Sequence, residues 1–334
     1  MIIKQVNAKE LLKLEGARKV TMPHFIAPQL ATLVDKPPDG DEWLHELKFD
    51  GYRMLCHLNG AKVTFWSRNG KDWTERFPKL AMAVKRLGLS SVVLDGEVVA
   101  MDSEGRTSFQ RLQQAIGKTG DAGLAFHLFD VLYVDGVLIT KTPLTDRKAV
   151  LEKLLKSQGK KSPLRYSDHV EGNGKAFFKQ ACDYGLEGIV SKLANSVYDS
   201  TRSKSWLKVK CLRRQEFVIA GYTVSDKGMP GFGSLILGVY DKGKLVYAGR
   251  AGTGFSIQQR IAIQKKLDPL AQPTTPFAVK PKDPGLKRAV WAKPKLVGEV
   301  AFTEWTDDGS IRHPSFQGLR EDKNAKEVIR EEPA

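Results

Sequence analysis

From Trp43 to Lys210 short apolar runs alternate with stretches of helical periodicity. Runs at Ser91–Ala100, Ala125–Val134 and Gly188–Leu193 are bounded by turn pairs such as Asn69-Gly70 and Asp135-Gly136, the pattern of buried strands ended by tight turns. The alternation predicts an α+β domain. Beyond Lys210 the texture changes: strand patterns at Phe217–Val224, Ser234–Tyr240, Lys244–Gly249 and Leu296–Trp305 surround one helical pattern at Ile257–Leu267. Several short strands and a helix within about 120 residues predict a small β-barrel, with the OB-fold as the leading candidate.

The change of texture falls near Arg213–Glu216, so the chain is divided into a lead-in at residues 1–26, a first domain at 27–213 and a second at 214–334. The lead-in has a basic, helical beginning, and Pro23, Pro28, Pro37 and Pro38 then predict an extended approach to the first strong strand. A second proline-rich stretch, Pro269–Pro294, reads as a long surface loop of the second domain. A length of 334 residues suits two domains, and no internal repeat is evident.

Charge narrows the class of partner. Lys and Arg number 53 against 38 Asp and Glu, a net charge of +15, which favours a polyanion such as nucleic acid. Cys56, Cys182 and Cys211 are odd in number and far apart in sequence, which argues against a disulfide framework or a metal knuckle and fits a reducing cytoplasm. No signal-peptide core opens the chain and no apolar run is long enough to cross a bilayer. The expectation is a cytoplasmic protein with no membrane partner.

Candidate chemistry begins at Glu46-Leu47-Lys48-Phe49-Asp50-Gly51-Tyr52-Arg53. Strand alternation there puts Glu46 and Lys48 on one face and packs Leu47 and Phe49 behind them. A partly desolvated lysine beside Arg53 and other cations has its ammonium form disfavoured, and an amine attacks only when neutral. Lys48 is therefore the candidate for a covalent bond to phosphorus, although Lys-x-Asp-Gly alone is equally the end of a hairpin with a solvated lysine. Arg68, beside the Asn69-Gly70 turn, suits phosphate or ribose oxygens, or is a plain surface residue. Asp95 and Glu97 share a strand face among apolar neighbours, which calls for a divalent cation, a ribose hydroxyl or an internal salt bridge.

Further along, alternation sets Phe129 on the face of His127 and Val131, where a ring either stacks on a base or packs in the core. His127 has no second ligand at zinc spacing. Glu187 opens an apolar strand with Lys192 five positions on. In Trp206-Leu207-Lys208-Val209-Lys210 both lysines face one way, and from Arg202 to Arg214 there are six basic residues and no acid. Such a cluster belongs against water or a polyanion.

Taken in order, with Pro28-Gln29-Leu30-Ala31 before them and Arg312-His313-Pro314-Ser315-Phe316 and Arg320-Glu321-Asp322-Lys323 after, these segments resemble the ATP-dependent DNA ligases. These belong to the covalent nucleotidyltransferase superfamily, and the likeness is to the ligase portion of bacterial end-joining ligases of the ligase D type. The resemblance covers nearly the whole chain. It implies a nucleotidyltransferase (adenylation) domain followed by an OB-fold, with Lys48 taking AMP from ATP through a phosphoramide bond. Glu46 would contact adenine and Phe129 stack on it; Arg53, Arg68 and Glu97 would hold ribose and phosphate. Glu187 would join Glu97 at Mg2+ or Mn2+, while Lys192, Arg202, Lys208 and Lys210 would grip the nucleotide phosphate. Arg320, Asp322 and Lys323 would orient the pyrophosphate leaving group, the OB domain closing for that step and releasing to admit DNA.

The resemblance further implies a monomer acting on nicked or broken double-stranded DNA, with a DNA end-binding protein as a further partner. No helical DNA-binding domain precedes Lys48, and the polymerase and phosphoesterase modules of multidomain relatives are missing, so the chain reads as a stand-alone ligase or an excised module. Two alternatives stay open from sequence. One is an RNA ligase or GTP-using RNA capping enzyme with the same nucleophile motif; the other is a non-catalytic DNA-binding OB protein, which would have no need of Glu97 and Glu187 amid apolar strands.

Overall fold

The apolar alternation of the first region becomes two sheets lying face to face. The first is seven-stranded, in the order β1 (Arg18–Lys19), β8 (Val137–Leu138), β7 (Leu124–Val134), β6 (Ser91–Ala100), β4 (Tyr52–Asn59), β5 (Lys62–Ser67), with β9 (Leu164–Tyr166) beside β7. The second runs β10 (His169–Glu171), β3 (Trp43–Leu47), β11 (Gly188–Leu193), β12 (Arg202–Lys210), β2 (Leu30–Leu33). This computed structural model describes residues 6–101, 107, 109–116, 123–156, 158–159, 161–211, 213–225 and 230–331. The chain divides into two compact units, the first reaching Cys211 and the second spanning Leu212–Glu332.

Period-two alternation gives each strand of the first sheet two destinations. Met54, Cys56 and Leu58 of β4 and Val92, Leu94 and Val98 of β6 pack with Leu80 and Val84 of α2 (Pro78–Lys85) and Phe109 and Leu112 of α3 (Phe109–Ile116). Leu55, Val93 and Leu132 turn the other way and meet Tyr198, just before β12, and Trp206 of β12. The outer face of the second sheet, Ile189 and Val209, lies under Phe177, Phe178 and Ala181 of α5 (Gly174–Asp183). In the space between the sheets, polar residues of both face each other.

Three expectations are corrected. Residues 6–26 are part of the first unit rather than a lead-in: Val6 and Leu11, the latter in α1 (Ala8–Leu11), bury in the main core, and β1 pairs with β8. Cys182 and Cys211, 29 residues apart, form a disulfide. Sequence distance misled because β12 returns beside β11, directly under α5, so the C-terminal end of that helix meets the residue after β12. Cys56 remains a buried free thiol, its pKa pushed up by burial. The Pro269–Pro294 stretch is also more than a surface loop: β16 (Ala271–Gln272) pairs with Trp291 and Ala292, and Phe277 is buried.

In the second unit the order is β15 (Lys244–Ala251), β14 (Phe232–Asp241), β13 (Arg213–Val224), β17 (Ala289–Phe302), β16, with β18 (Ser315–Leu319) also on β17. A parallel bridge between Thr253 and Ser315 brings the chain after β15 onto β18, so five strands wrap around Phe217, Ile219, Leu235, Val300 and Phe316. Between β15 and β17 lies α6 (Ile257–Leu267), begun by a capping box of Ser256 and Gln259. This is the partly open five-stranded barrel of an OB-fold. Among the described residues no helix is long and apolar enough to cross a membrane.

Candidate nucleotidyl-transfer site

The turn that carries Lys48 joins the two sheets. β3 ends at Leu47, but the Lys48 backbone N–H still donates to the Gly188 carbonyl at 2.9 Å, keeping Lys48 on the second sheet. Four residues later β4 has begun in the first sheet. Gly51 makes this crossing sterically feasible, because a Cβ there would stand 2.2 Å from the Val98 carbonyl oxygen and 3.1 Å from Glu97 Cγ. The Lys48 ammonium forms an ion pair with the Glu187 carboxylate, whose side chain is 5% exposed against 22% for Lys48. Besides the cations expected near it, the lysine thus has a carboxylate facing it. Arg53 is engaged elsewhere, gripping Asp95 with Nε–Oδ1 at 3.0 Å and Nη2–Oδ2 at 2.6 Å.

Pairing register shows which residues share the inner face of the second sheet. Glu46 lies opposite Val190 and Val190 opposite Lys208; Lys192 lies opposite Trp206, and Gly188 opposite Lys210. Directly opposed residues in a sheet point to the same side, so Glu46, Lys192, Trp206, Lys208 and Lys210 form one patch, with Lys48 at its end. Gly188 has φ +148°, and a Cβ on it would lie 2.0 Å from the Val209 carbonyl oxygen, so β11 and β12 approach too closely for any other residue. Arg202 stands apart at the start of β12, exposed, donating to the Ala31 carbonyl.

Glu46 is 2% exposed and closely held. Lys148 Nζ donates to Oε1 at 2.8 Å, Ser167 Oγ donates to Oε2 at 2.8 Å, and Lys192 Nζ is 3.0 Å from Oε1. Burial alone would raise this carboxyl, yet Lys148 and Lys192 together hold it below the usual range. Burial pushes the Lys192 ammonium down to about 8, with Lys148 adding repulsion and Glu46 opposing. Lys192 Nζ also sits 4.3 Å from the ring centres of both Phe129 and Trp206.

On the facing sheet, Asp95 and Glu97 part company. Asp95 is fully buried, paired with Arg53 and receiving the Tyr198 hydroxyl at 2.6 Å, so of the options open from sequence it takes the internal salt bridge. Glu97 is half-buried, opposite Arg53 on β4, with its Cγ against Gly51. Phe129 is half-buried and T-stacked on Trp206 at 6.0 Å. Its expected alignment with Val131 is corrected: β7 bulges here, since Leu128 opposes Gly96 and Asp130 opposes Asp95, leaving Phe129 as the extra residue. Val131 therefore turns to the opposite side, into the main core. Arg68 is half-buried just after β5.

Arg320, Asp322 and Lys323 belong to the second unit. Arg320 holds Asp322 bidentately at 2.9 and 2.8 Å and donates to Glu299 at 2.7 Å, and Lys323 pairs with Glu216 at 2.8 Å. Although burial opposes it, Arg320 keeps the Asp322 carboxyl below its ordinary value.

Sequence reasoning missed Arg147 and Lys148 on α4 (Leu144–Leu155). Arg147, with no exposure, grips Asp130 twice at 2.8 Å and donates to the Thr142 and Ser196 carbonyls. The signal was there: both cations sit at the i+3 and i+4 positions after Leu144, with Leu151 and Leu155 continuing the stripe. Among the described residues no group of three or more His, Cys, Asp and Glu gathers as for a structural metal. What flanks the Lys48 turn is a pair of hard carboxylate donors, Glu97 against Gly51 and Glu187 on Lys48. Such a pair suits Mg2+, which keeps water and substrate phosphate oxygens among its ligands.

Known proteins share this architecture. The ATP dependent DNA ligase domain family matches residues 27–210, and the ATP dependent DNA ligase C terminal region matches residues 229–323. The chain is 41% identical over 319 residues to the multifunctional non-homologous end joining protein LigD of Pseudomonas aeruginosa, covering 95% of this chain and 38% of that protein. Against the LigD of Mycobacterium tuberculosis the identity is 36% over 323 residues, covering 96% of this chain and 42% of the relative. The chain thus spans about two fifths of the length of these relatives. A solved mycobacterial DNA ligase D complexed with ATP and MES superposes with TM-score 0.69 at 36% identity, covering 92% of this chain and 98% of that one.

Proposed function

Since the chain belongs to the ATP-dependent DNA ligase family, we propose that it seals 5′-phosphate/3′-hydroxyl breaks in duplex DNA through an AMP carried on Lys48, in the end joining of double-strand breaks. The observation that carries this reading is the Lys48–Glu187 ion pair at the end of a sheet face that also bears Lys192, Lys208 and Lys210. The Lys48 amine attacks the α-phosphorus of ATP, a P–N bond forms and pyrophosphate leaves. The 5′-phosphate of the break then takes the AMP from Lys48, and the 3′-hydroxyl displaces AMP to close the strand.

Each step is an in-line displacement at phosphorus, in which fixed cations stabilise the charge on the transferring group. Lys192, Lys208 and Lys210 serve that role from the second sheet, and Phe129 offers its ring to the base. Glu97 and Glu187 would hold Mg2+ or Mn2+, which supplies charge neutralisation at the phosphate. Arg68 and Arg202, at strand ends, contact ribose and phosphate oxygens more peripherally. Arg53 acts through Asp95, fixing β4 against Tyr198. Arg320, Asp322 and Lys323 orient the pyrophosphate, and a DNA end-binding protein recruits the enzyme to breaks.

Incubation with α-labelled ATP and a divalent cation tests the site: label should appear on the protein and vanish in Lys48→Ala. Persistent labelling of that variant overturns the assignment. Nicked duplex DNA should be sealed faster than nicked RNA, and the reverse order would move the chain to RNA ligation.

A further inference from the structure

Two lysines face the Glu46 carboxylate, and they differ in how their donors are engaged. Lys148 Nζ reaches Glu46 Oε1 at 2.8 Å and the Ser167 carbonyl at 2.9 Å, and lies 4.6 Å above the Tyr166 ring. All three of its N–H directions meet protein. Lys192 is equally buried, but its Nζ makes no hydrogen bond of good geometry; it stands 3.0 Å from Glu46 and otherwise over aromatic rings. Lys148 is thus a fixed ion, whereas Lys192 keeps donors for a ligand.

We propose that Lys148, assisted by Ser167, is a positioning residue that holds Glu46 ionised and aimed, so that the site selects a 6-amino purine over a 6-oxo purine. The inference rests on the ligase reading above, in which Glu46 meets the base. An ionised carboxylate only accepts hydrogen bonds, so it welcomes the amino donor of adenine and repels the carbonyl of guanine. When Lys192 turns to the nucleotide, a buried Glu46 without another counter-ion would take up a proton, since burial disfavours its charge. A protonated carboxyl donates as well as accepts, and the discrimination would be lost. Lys148 prevents this because none of its donors is available to the nucleotide. Ser167, held at Oε2, fixes the rotation of the carboxylate plane.

The test compares self-labelling by α-labelled ATP, GTP and purine riboside triphosphate, the last lacking the 6-amino group, with melting curves taken on the same samples. Lys148→Met should lower the ATP:GTP ratio of kcat/KM by about tenfold or more, the scale of a lost polar specificity contact. It should leave the rate with purine riboside triphosphate near wild type. Ser167→Ala, which removes one hydrogen bond and keeps the ion pair, should shift the ratio in the same direction by a smaller factor, and decides the matter if Lys148→Met does not fold. An unchanged ratio in the folded variants, whatever their melting temperature, overturns the proposal and leaves the ligase reading intact. Absence of ATP labelling in the wild-type protein overturns both.

Discussion

Replacing Gly188 by alanine perturbs the site without touching a charged group. At φ +148° the added Cβ would stand 2.0 Å from the Val209 carbonyl oxygen, where real Cβ contacts do not fall below 3.0 Å. β11 and β12 must therefore separate by about 1 Å or the backbone must leave its present dihedral, at a cost of about 1–3 kcal/mol for a residue held in glycine-only space. Gly188 receives the Lys48 N–H, follows Glu187, and lies opposite Lys210. The displacement thus falls on Lys48, its carboxylate partner Glu187 and Lys210 together, the proposed nucleophile and phosphate-binding groups. A misplacement of 1 Å at reacting groups is worth about a hundredfold in rate. Single-turnover labelling at saturating ATP should fall by roughly that factor, while urea unfolding shows a loss of about 1–3 kcal/mol. Gly159→Ala, where a Cβ meets nothing within 4 Å, is the control and should change neither. Wild-type rate and stability in Gly188→Ala would refute the reasoning.

Two other outcomes are expected. Arg147→Met strands Asp130, which has no exposure, and should cost about 3–5 kcal/mol, a fall of about 6–20 °C in melting temperature for a unit of this size. Asp130→Leu added to it should recover most of that loss, and a single variant that loses less than about 1 kcal/mol in denaturant unfolding would contradict the buried-pair account. Lys192, faced by Glu46 from β3, Lys148 from α4 and Asp130 from β7, has its ammonium pushed down to about 8 by burial. ATP binding measured by calorimetry should hold steady at lower pH and weaken as pH rises through about 8, because the phosphate is gripped by the protonated form. The ordinary lysine value is 10.5, so between about 8 and 10.5 the unfolded chain holds this proton longer, and unfolding free energy should rise across that window. Both dependences should disappear in Lys192→Arg; a pH-independent wild type would exclude a titrating Lys192.

Residues whose positions follow from strand period were legible in the sequence. Glu46, Lys208 and Lys210 share a face because alternate residues on paired strands must, and the Ile257–Leu267 helix has the range its periodicity predicts. Legibility failed where tertiary structure breaks a local rule. Period two aligns Phe129 with Val131, and one bulge separates them. Asp95 and Glu97 look alike on one strand, yet Asp95 is fully buried and holds both Arg53 and Tyr198, the latter 103 residues away, whereas Glu97 is half-buried. The Cys182–Cys211 bond depends on a sheet register that no spacing encodes. Arg147 and Lys148 were visible as cations on the apolar stripe of α4, but their partners come from β3, β7 and Ser167.

These buried ions also show how structural and working charges can be separated in one unit. An ion pair taken out of water is seldom more stable than a well-packed apolar replacement, so its presence between two sheets calls for a reason. For Arg147, two bonds to Asp130 and two to backbone carbonyls supply one: the guanidinium closes α4 over the sheet and satisfies groups that water cannot reach. Arg53 does the same for Asp95 and the Gln29 carbonyl. Lys192 has no such return for its desolvation, with an imperfect contact to a carboxylate already served by Lys148 and Ser167. A buried ammonium left in that state is costly unless a ligand completes it, and a nucleotide phosphate is a ligand whose charge and acceptors fit. In the proposed reaction the cost of this unfinished ion pair would be recovered when Lys192 meets the phosphate to be held for Lys48.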